Sequence, residues 1–233
     1  FKDFYTYGWD KFVQYNVIDC DRVDELEDKM KLIELCLTMS YLAKINFGDV
    51  FSQIRMWDAI IFNHLKSKKI VIPPRSKHSK SEQFEGAFVR EPIPGFYKNI
   101  ASFDATSLYP SILQTWYISL ETFIGMFEGN ITTKGLLNKD YNFSDDCTVA
   151  ANGAMYRKDV RGFLPELMEK IYNERVIFKK RMLAAEQEYE KTKDKQLIKE
   201  IARCNNIQMA RKIQLNSAYG AIGNQYFRYY KLA

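Results

Sequence analysis

The sequence has few of the residues that bind zinc and no segment suited to crossing a membrane. It contains only two histidines, and its four cysteines, Cys20, Cys36, Cys147 and Cys204, are widely scattered with no Cys-x-x-Cys pair. This pattern argues against a zinc site and favours a reducing intracellular compartment. No apolar run approaches the ~20 residues needed to span a bilayer, and we find no signal-peptide pattern, internal repeat or low-complexity tract.

Charge is distributed unevenly along the 233 residues, whose net charge is +5. Residues 1–60 carry seven Lys/Arg against eleven Asp/Glu, whereas residues 161–233 carry fifteen against eight. Such polarity suits a carboxylate-rich metal region joined to a helical arm that contacts phosphates. A basic arm could equally contact an acidic protein or only aid solubility, so charge supports a nucleic-acid function without deciding it.

Hydrophobic periodicity predicts a mainly helical chain. We expect helices over about 9–46 and 49–66, an extended Pro- and Ser-punctuated connector from Ile70, a strand over 97–104 and a helix over about 107–114. Asn152-Gly153 predicts a β-hairpin. Two long helices, from Phe163 to about Tyr189 and from about Lys195 to Tyr219, should pair antiparallel around a polar tip at 190–194.

Residues 104–112 read Asp-Ala-Thr-Ser-Leu-Tyr-Pro-Ser-Ile. The expected strand would place Asp104 at its C-terminal end, and Pro110 suits a first helical turn because it has no amide hydrogen to lose there. Such a corner combines a carboxylate with free backbone N–H groups, as a Mg²⁺-bound triphosphate requires. Taken alone, Asp104 could equally be a helix cap.

Polar residues four positions apart occur on both long helices. Lys212 and Asn216 would share one helix face, as would Arg175 and Lys179, and Tyr219 lies one turn beyond Asn216. A lysine suits a polyphosphate, and an asparagine amide can donate to phosphate or sugar oxygens. The alternative is ordinary solvated side chains, with Asn216 near a helix end that a glycine caps.

These segments together resemble family B DNA polymerases, in the branch found in tailed bacteriophages. Residues 104–112 are similar to the first polymerase motif, Asp-x-x-Ser-Leu-Tyr-Pro-Ser-Ile, and residues 212–220 to the second, Lys-x-x-x-Asn-Ser-x-Tyr-Gly. Residues 175–183 look like the first fingers helix. The phage-like wording is clearest in residues 87–94 and 220–230.

Two weaker matches lie upstream in the same order. Tyr15 and Asp19 resemble the third exonuclease motif, Tyr-x-x-x-Asp, in which the Asp binds a metal and the Tyr orients the attacking water. We expect the apolar positions of the following helix, over 23–33, to anchor this motif to a core. Phe84 and Gly86 resemble the linker motif Tyr-x-Gly-Gly/Ala, which contacts the template strand; Phe84 replaces the usual Tyr, which removes a hydroxyl but keeps the aromatic ring.

The resemblance implies an α+β, mainly helical fold. It implies an incomplete palm with a long antiparallel two-helix fingers hairpin, preceded by the C-terminal helices of a 3′-5′ exonuclease domain. The implied divisions are the end of the exonuclease domain and linking helices (1–70), an extended linker (71–96), a partial palm (97–160), the fingers hairpin (161–220) and a return to the palm (221–233).

The resemblance also implies template-directed transfer of deoxynucleotides from dNTPs to a primer 3′ end, with two Mg²⁺ ions per site that Mn²⁺ can replace. Asp104 would bind the metals. The implied nucleotide-binding residues are Ser107, Leu108, Tyr109, Arg175, Lys179, Lys212 and Asn216. Tyr109 would stack under the sugar and exclude a 2′-hydroxyl, and Lys212 would protonate the departing pyrophosphate. Tyr219 and Gly220 would contact DNA.

The third polymerase motif, Asp-Thr-Asp, and the first two exonuclease motifs are missing from these residues. We therefore expect the isolated chain neither to extend nor to degrade primers, and to be an excised fragment or one piece of a split polymerase completed by another chain. The start at Phe1 favours a processed piece. Implied partners are primer-template DNA, dNTP and a sliding clamp, in the cytoplasm of a phage-infected bacterium, with no membrane.

Two alternatives remain on the sequence alone. The chain could be a non-catalytic nucleic-acid-binding module that keeps the polymerase scaffold. It could also be a helical interaction protein that uses residues 163–219 as a partner surface, although that function gives no reason for the Asp104 corner.

Overall fold

The structure is a computed structural model that describes residues 2–74 and 89–231. Its helices are α1 (Lys2–Tyr7), α2 (Trp9–Met30), α3 (Leu32–Ala43), α4 (Gln53–Ser67), α5 (Leu108–Thr115), α6 (Thr133–Asn138), α7 (Phe163–Thr192) and α8 (Lys195–Ile222), with a 3₁₀ turn at Phe47–Asp49. Its strands are β1 (Phe123–Met126), β2 (Cys147–Val149) and β3 (Ala154–Arg157). In this part of the chain, no helix is both long and apolar enough to span a membrane.

The three strands form one antiparallel sheet in the order β1-β3-β2. The turn between β2 and β3 contains Asn152 and Gly153, as the sequence predicts. Gly153 has φ +90°, a conformation that a glycine adopts without steric cost. The Asn152 side chain accepts a hydrogen bond of 3.1 Å from the amide of Ala154. The hairpin prediction is therefore confirmed.

The two long helices α7 and α8 pack against each other along their length. Two residues join them: Lys193, in the left-handed conformation, and Asp194, whose carboxylate accepts from the Gln196 amide at 2.9 Å. An ion pair links Glu174 to Arg211, which lie at similar sequence distances from this turn. The helices are therefore antiparallel, and the turn between them lies at the end of the predicted 190–194 segment, whose first three residues belong to α7.

Two predicted elements are wrong. Residues 97–104 form no strand; Phe103 is 94% exposed, and no strand in the described chain pairs with this segment. A strand requires a hydrogen-bonded neighbour, and none is present here. The helix predicted over 9–46 is broken at Lys31. The Lys31 N–H makes the last helical bond of α2, to the Glu27 carbonyl, and the positive φ of 51° at Lys31 then turns the chain out of the helix.

The expected core support for the 23–33 segment is also absent. No residue of α2 is buried, and the apolar positions Val23, Leu26, Met30 and Ile33 are all more than half exposed. The core instead lies where the base of the α7–α8 hairpin meets α3 and α4. The spacing of the apolar residues predicted the helix correctly but could not tell whether a partner covers its apolar face.

Trp57 lies at the centre of this core and is fully buried. Its indole Nε1 donates to the carbonyl of Gln214 at 3.2 Å and to Oγ of Ser217 at 3.1 Å. The ring therefore joins α4 to α8 both by packing and by hydrogen bonds. The neighbouring α4 carboxylate, Asp58, forms an ion pair of 2.8 Å with Arg228, which follows α8 and also donates to the Pro73 carbonyl at 2.6 Å.

The loop before β1 fixes the start of α7. Glu121 accepts a hydrogen bond of 2.6 Å from the Phe163 amide, so a carboxylate satisfies one of the amides that a helix N-terminus leaves free. Gly162 lies so close to this loop that a Cβ there would stand 2.3 Å from Cβ of Ser119. The sheet region is thereby held against the base of the hairpin.

Tyr229 gives a test of the core by alkaline titration. Burial, with a smaller contribution from Asp58, raises the pKa of Tyr229 to about 12, and its hydroxyl has no hydrogen-bond partner in the described residues. Its contribution to stability should be complete below pH ~10, the unfolded pKa, and be lost as pH rises through about 12. Absorbance of tyrosinate should show that Tyr229 ionises late, as should Tyr156, whose pKa burial also raises.

Tyr229→Phe should reduce the late phase by one tyrosine without loss of stability, since the buried hydroxyl has no hydrogen-bond partner among the described residues. The matched control is Tyr226→Phe, which removes a tyrosine that is 70% exposed. A late phase of unchanged amplitude in Tyr229→Phe would contradict the assignment.

Candidate nucleotide and nucleic-acid site

The Asp104 segment leads into α5 as irregular backbone. Asp104 is exposed, and Ser107, in the left-handed conformation with φ 51°, is the residue that precedes the helix. No side chain caps α5, and its third residue is the buried Pro110. The helix-cap alternative for Asp104 is therefore wrong, and the first amides of α5, those of Leu108 and Tyr109, are left for other acceptors.

Tyr109 and Tyr219 stack on each other. Their ring centroids are 4.4 Å apart and the rings are inclined by only 10°. Tyr109 comes from the first turn of α5 and Tyr219 from the last turns of α8, so this contact joins the two sequence segments that carry the polymerase-like motifs. Both rings remain about 40% exposed, which leaves surface available to a ligand.

Lys212, Asn216 and Tyr219 form one exposed stripe along α8, as their spacing predicts. The residues between them on the other side, Gln214, Leu215, Ser217 and Ala218, are buried. The helix continues past Gly220 to Ile222, where Gly223 follows as the C-cap. The helix therefore ends three residues later than predicted, and the glycine that caps it is Gly223 and not Gly220. Gly220 is exposed and lies beside the Gln53 side chain.

Arg175 and Lys179 lie one turn apart on α7. Arg175 is half-buried, and its Nε is enclosed without a hydrogen-bond partner in the described chain; Lys179 is exposed. Within the residues that the structure describes, neither has an ion-pair partner, and the same holds for Lys212. These cations are therefore available to an anionic ligand, unlike Arg211, whose charge is paired with Glu174.

The structure brings some predicted site residues together and leaves others apart. α5 packs against both α7 and α8, which places the Asp104 corner at the base of the hairpin. Asp104 itself forms no ion pair within the described ranges. These ranges also hold no cluster of three or more His, Cys, Asp or Glu side chains that could bind a metal ion. The described residues alone do not fit the implied two-Mg²⁺ site.

The remaining predicted residues lie elsewhere. Tyr15 and Asp19 are both exposed on α2, one turn apart. Among the residues described, Asp19 belongs to no cluster of side chains that could bind a metal ion. Phe84 and Gly86 lie outside the described residues. The exonuclease and template-linker assignments therefore stay predictions.

Sequence reasoning missed the residues that hold the hairpin in place. Arg211 is largely buried; burial lowers its pKa, which the Glu174 carboxylate partly offsets, and its Nη1 donates to Oε1 of Gln214 at 2.7 Å. The only signal in the sequence was a charged residue within a mostly apolar helix face. Asp58 and Arg228, 170 positions apart, carried no such local signal.

Comparison with known proteins assigns the family. Residues 51–233 match the model of DNA polymerase family B, and the chain therefore belongs to that family.

The DNA-directed DNA polymerase of Escherichia phage RB69 is 37% identical over 95% of the chain, and that of Enterobacteria phage T4 is 36% identical over the same share. The chain spans 29% of the length of each of these relatives. The family B DNA polymerase of Pyrobaculum calidifontis matches 88% of the chain in structure and is covered over 24% of its own length. Its TM-score of 0.60 at 23% identity shows a shared fold.

Proposed function

We propose that this chain is part of a DNA-directed DNA polymerase that adds deoxynucleotides to a primer 3′ end under the direction of a template. The observation that carries the proposal is the stack of Tyr109 on Tyr219. It joins the two motif-bearing segments at the base of a hairpin whose predicted phosphate-binding cations form no ion pair among the described residues. Similarity to the phage DNA polymerases supports the same reaction.

The unpaired cations would bind the triphosphate of a dNTP. Lys212, Asn216 and Tyr219 share one face of α8, and Arg175 and Lys179 project from α7. Three cationic side chains that form no ion pair with any described residue suit a polyphosphate, whose charge they would neutralise as the hairpin closes. Lys212 is the candidate proton donor to pyrophosphate.

The α5 corner would receive the reacting end of the nucleotide. The amides of Ser107 and Leu108 are proposed to bind the triphosphate, and the Tyr109 ring to pack beneath the sugar, where a 2′-hydroxyl would clash. Tyr219 and Gly220 would contact the DNA. The steric clash with a 2′-hydroxyl would make the site select deoxynucleotides over ribonucleotides.

Mg²⁺ would stabilise the attacking and leaving oxygens of the displacement when bound. Asp104 is the carboxylate that this chain would contribute, and further ligands would have to come from residues outside it. We therefore propose that the isolated chain synthesises no DNA and that another chain, or the rest of a longer polypeptide, completes the site. By the same reasoning Asp19 and Tyr15 would need further carboxylates for 3′-5′ exonuclease activity.

The proposed divisions are those predicted from the sequence, with the α7–α8 hairpin as the fingers and residues 97–160 as part of the palm. The phage relatives favour action in the cytoplasm of an infected bacterium. A sliding clamp is a further candidate partner.

A reconstitution experiment tests the proposed reaction. The chain would be mixed with the segments of the phage RB69 relative that flank its match, and extension of a labelled primer-template would be followed with Mg²⁺ and dNTPs. We expect no extension by either component alone and extension by the mixture. Robust Mg²⁺-dependent synthesis by the chain alone would contradict the proposed need for outside ligands.

Binding without synthesis would favour the non-catalytic alternative. If the mixture binds primer-template DNA tightly but never extends it, although the same segments support extension with the matching RB69 piece, the scaffold has kept only its nucleic-acid affinity. The RB69 piece is the matched control that separates a failed assembly from an inactive site.

A further inference from the structure

A cavity lies at the base of the hairpin, where α3, α4, α7 and α8 meet. It has a volume of about 200 Å³. Apolar side chains from all of these helices except α8 line part of its wall, and α8 contributes Arg211. Arg211 is the residue before Lys212, and successive helical residues are about 100° apart around the axis. The cavity is therefore separate from the stripe that carries Lys212, Asn216 and Tyr219.

The mouth of this cavity carries unpaired positive charge. Lys44, at the end of α3, and Lys170, on α7, both line it and are both exposed. Neither lysine has an ion-pair partner in the ranges 2–74 and 89–231. Two cations on the lining of one cavity repel each other, so an anion bound in the cavity would lower the free energy of this arrangement.

The wall of the cavity offers enclosed nitrogen atoms without partners. Nε of Arg211 and Nε2 of His64 are both buried and make no hydrogen bond in the described chain. The His64 side chain is 10% exposed and that of Arg211 is 11% exposed. Buried polar atoms are normally hydrogen-bonded, because leaving one unpaired costs about 1–3 kcal/mol. The Nε–H of Arg211 therefore indicates an absent acceptor, whereas Nε2 of His64 already faces the Glu166 carboxylate.

The acidic groups nearby are already engaged. Glu174, which also lines the cavity, forms an ion pair with Arg211. Glu166 pairs with Lys68 and stands 3.5 Å from His64 Nε2. The lining thus keeps the positive charges of Lys44 and Lys170 in excess.

Size restricts the ligand. Cavities for drug-sized ligands are about 300–1,000 Å³, so about 200 Å³ is too small for a nucleotide. Since a water molecule takes up about 30 Å³ in the liquid, the space suits a small oxyanion with a few waters.

We propose that this cavity binds a small oxyanion of the phosphate or carboxylate class, with Lys44 and Lys170 at its mouth and Arg211 and His64 on its wall. Such an anion would join α3 and α4 to both long helices of the hairpin. The site is independent of the nucleotide site proposed above.

Isothermal titration of the chain with sodium orthophosphate, against sodium acetate and sodium sulfate at equal ionic strength, tests the proposal. The test variant combines Lys44→Asn with Lys170→Met. Asparagine tolerates the left-handed backbone of position 44, where φ is 58°. Melting midpoints without ligand check that each variant folds.

Two control variants separate this cavity from other cationic surface. Lys199→Met removes an exposed lysine elsewhere on α8, and Lys179→Met with Lys212→Met removes cations of the proposed nucleotide site. We expect saturable binding of orthophosphate or acetate to weaken at least ~10-fold in the test variant and to change less than ~2-fold in both controls. A preference between the two anions identifies phosphate or carboxylate as the ligand class.

Three results would overturn the proposal. The first is no saturable binding of any of the three anions, which would mean that water fills the cavity. The second is equal weakening by Lys199→Met, and the third is loss of binding in the Lys179→Met, Lys212→Met variant.

Discussion

Replacing Asp104 with alanine should abolish primer extension by the reconstituted enzyme, with a loss of about 10³-fold or more. Asp104 is the only carboxylate of the α5 corner, it is exposed, and it has no internal ion-pair partner in the described chain. Its charge is therefore free to serve the reaction and contributes little to the fold. A loss of 10³-fold corresponds to about 4 kcal/mol of transition-state stabilisation, which is in the range that a metal site supplies.

The matched control is Asp145→Ala, which removes an exposed aspartate from the loop before β2. It should change the rate of extension by less than ~2-fold. The thermal midpoints of both variants should match that of the unaltered chain, because surface substitutions rarely change stability by more than about 0.5 kcal/mol. Extension that survives in Asp104→Ala would remove this residue from the proposed site.

Trp57→Ala should lower the free energy of unfolding by about 3–5 kcal/mol, the usual cost of truncating a buried aromatic residue to alanine. The indole is fully buried between α4 and α8, and its Nε1 is the donor to the Gln214 carbonyl and to Ser217 Oγ. Because small domains are stable by only about 5–15 kcal/mol, this single change should remove a large part of the total. Urea unfolding followed by circular dichroism measures it.

Two further variants separate packing from hydrogen bonding. Trp57→Phe keeps an aromatic ring but removes the Nε1 donor, so we expect a smaller loss of about 1–3 kcal/mol. Trp9→Ala removes a tryptophan that is 53% exposed on α2 and should change stability by about 0.5 kcal/mol or less. Equal losses for Trp57→Ala and Trp9→Ala would show that the core does not lie where the structure has it.

Local patterns predicted those parts of the fold that neighbouring residues determine. The long α7 and α8 follow from apolar residues at helical spacing, their turn from the polar 190–194 segment, and the β2–β3 hairpin from Asn152-Gly153. The stripe of Lys212, Asn216 and Tyr219 was predictable for the same reason, since a helix fixes which positions share a face.

Features that depend on distant partners could not be read in this way. The 97–104 segment has the alternation of a strand but no strand beside it in the described chain. Lys31 ends α2 without a glycine or proline to mark the break. The stack of Tyr109 on Tyr219 joins residues 110 positions apart, and the cavity draws its lining from four helices. Only the three-dimensional packing supplies these relations.

The Tyr219 ring covers one face of the Tyr109 ring, which is the ring proposed to pack beneath the nucleotide sugar. A ligand that binds to this face of the Tyr109 ring must displace Tyr219, so its binding replaces the contact between the two tyrosines with a contact between Tyr109 and the ligand. An aromatic pair is worth about 0.5–1.5 kcal/mol beyond its buried area. Losing this contact would lower the affinity for the ligand about two- to twelvefold. A movement of α8 that separates the two rings before the ligand binds would restore that affinity. By thermodynamic reciprocity, ligand binding would favour the conformation with separated rings by the same factor.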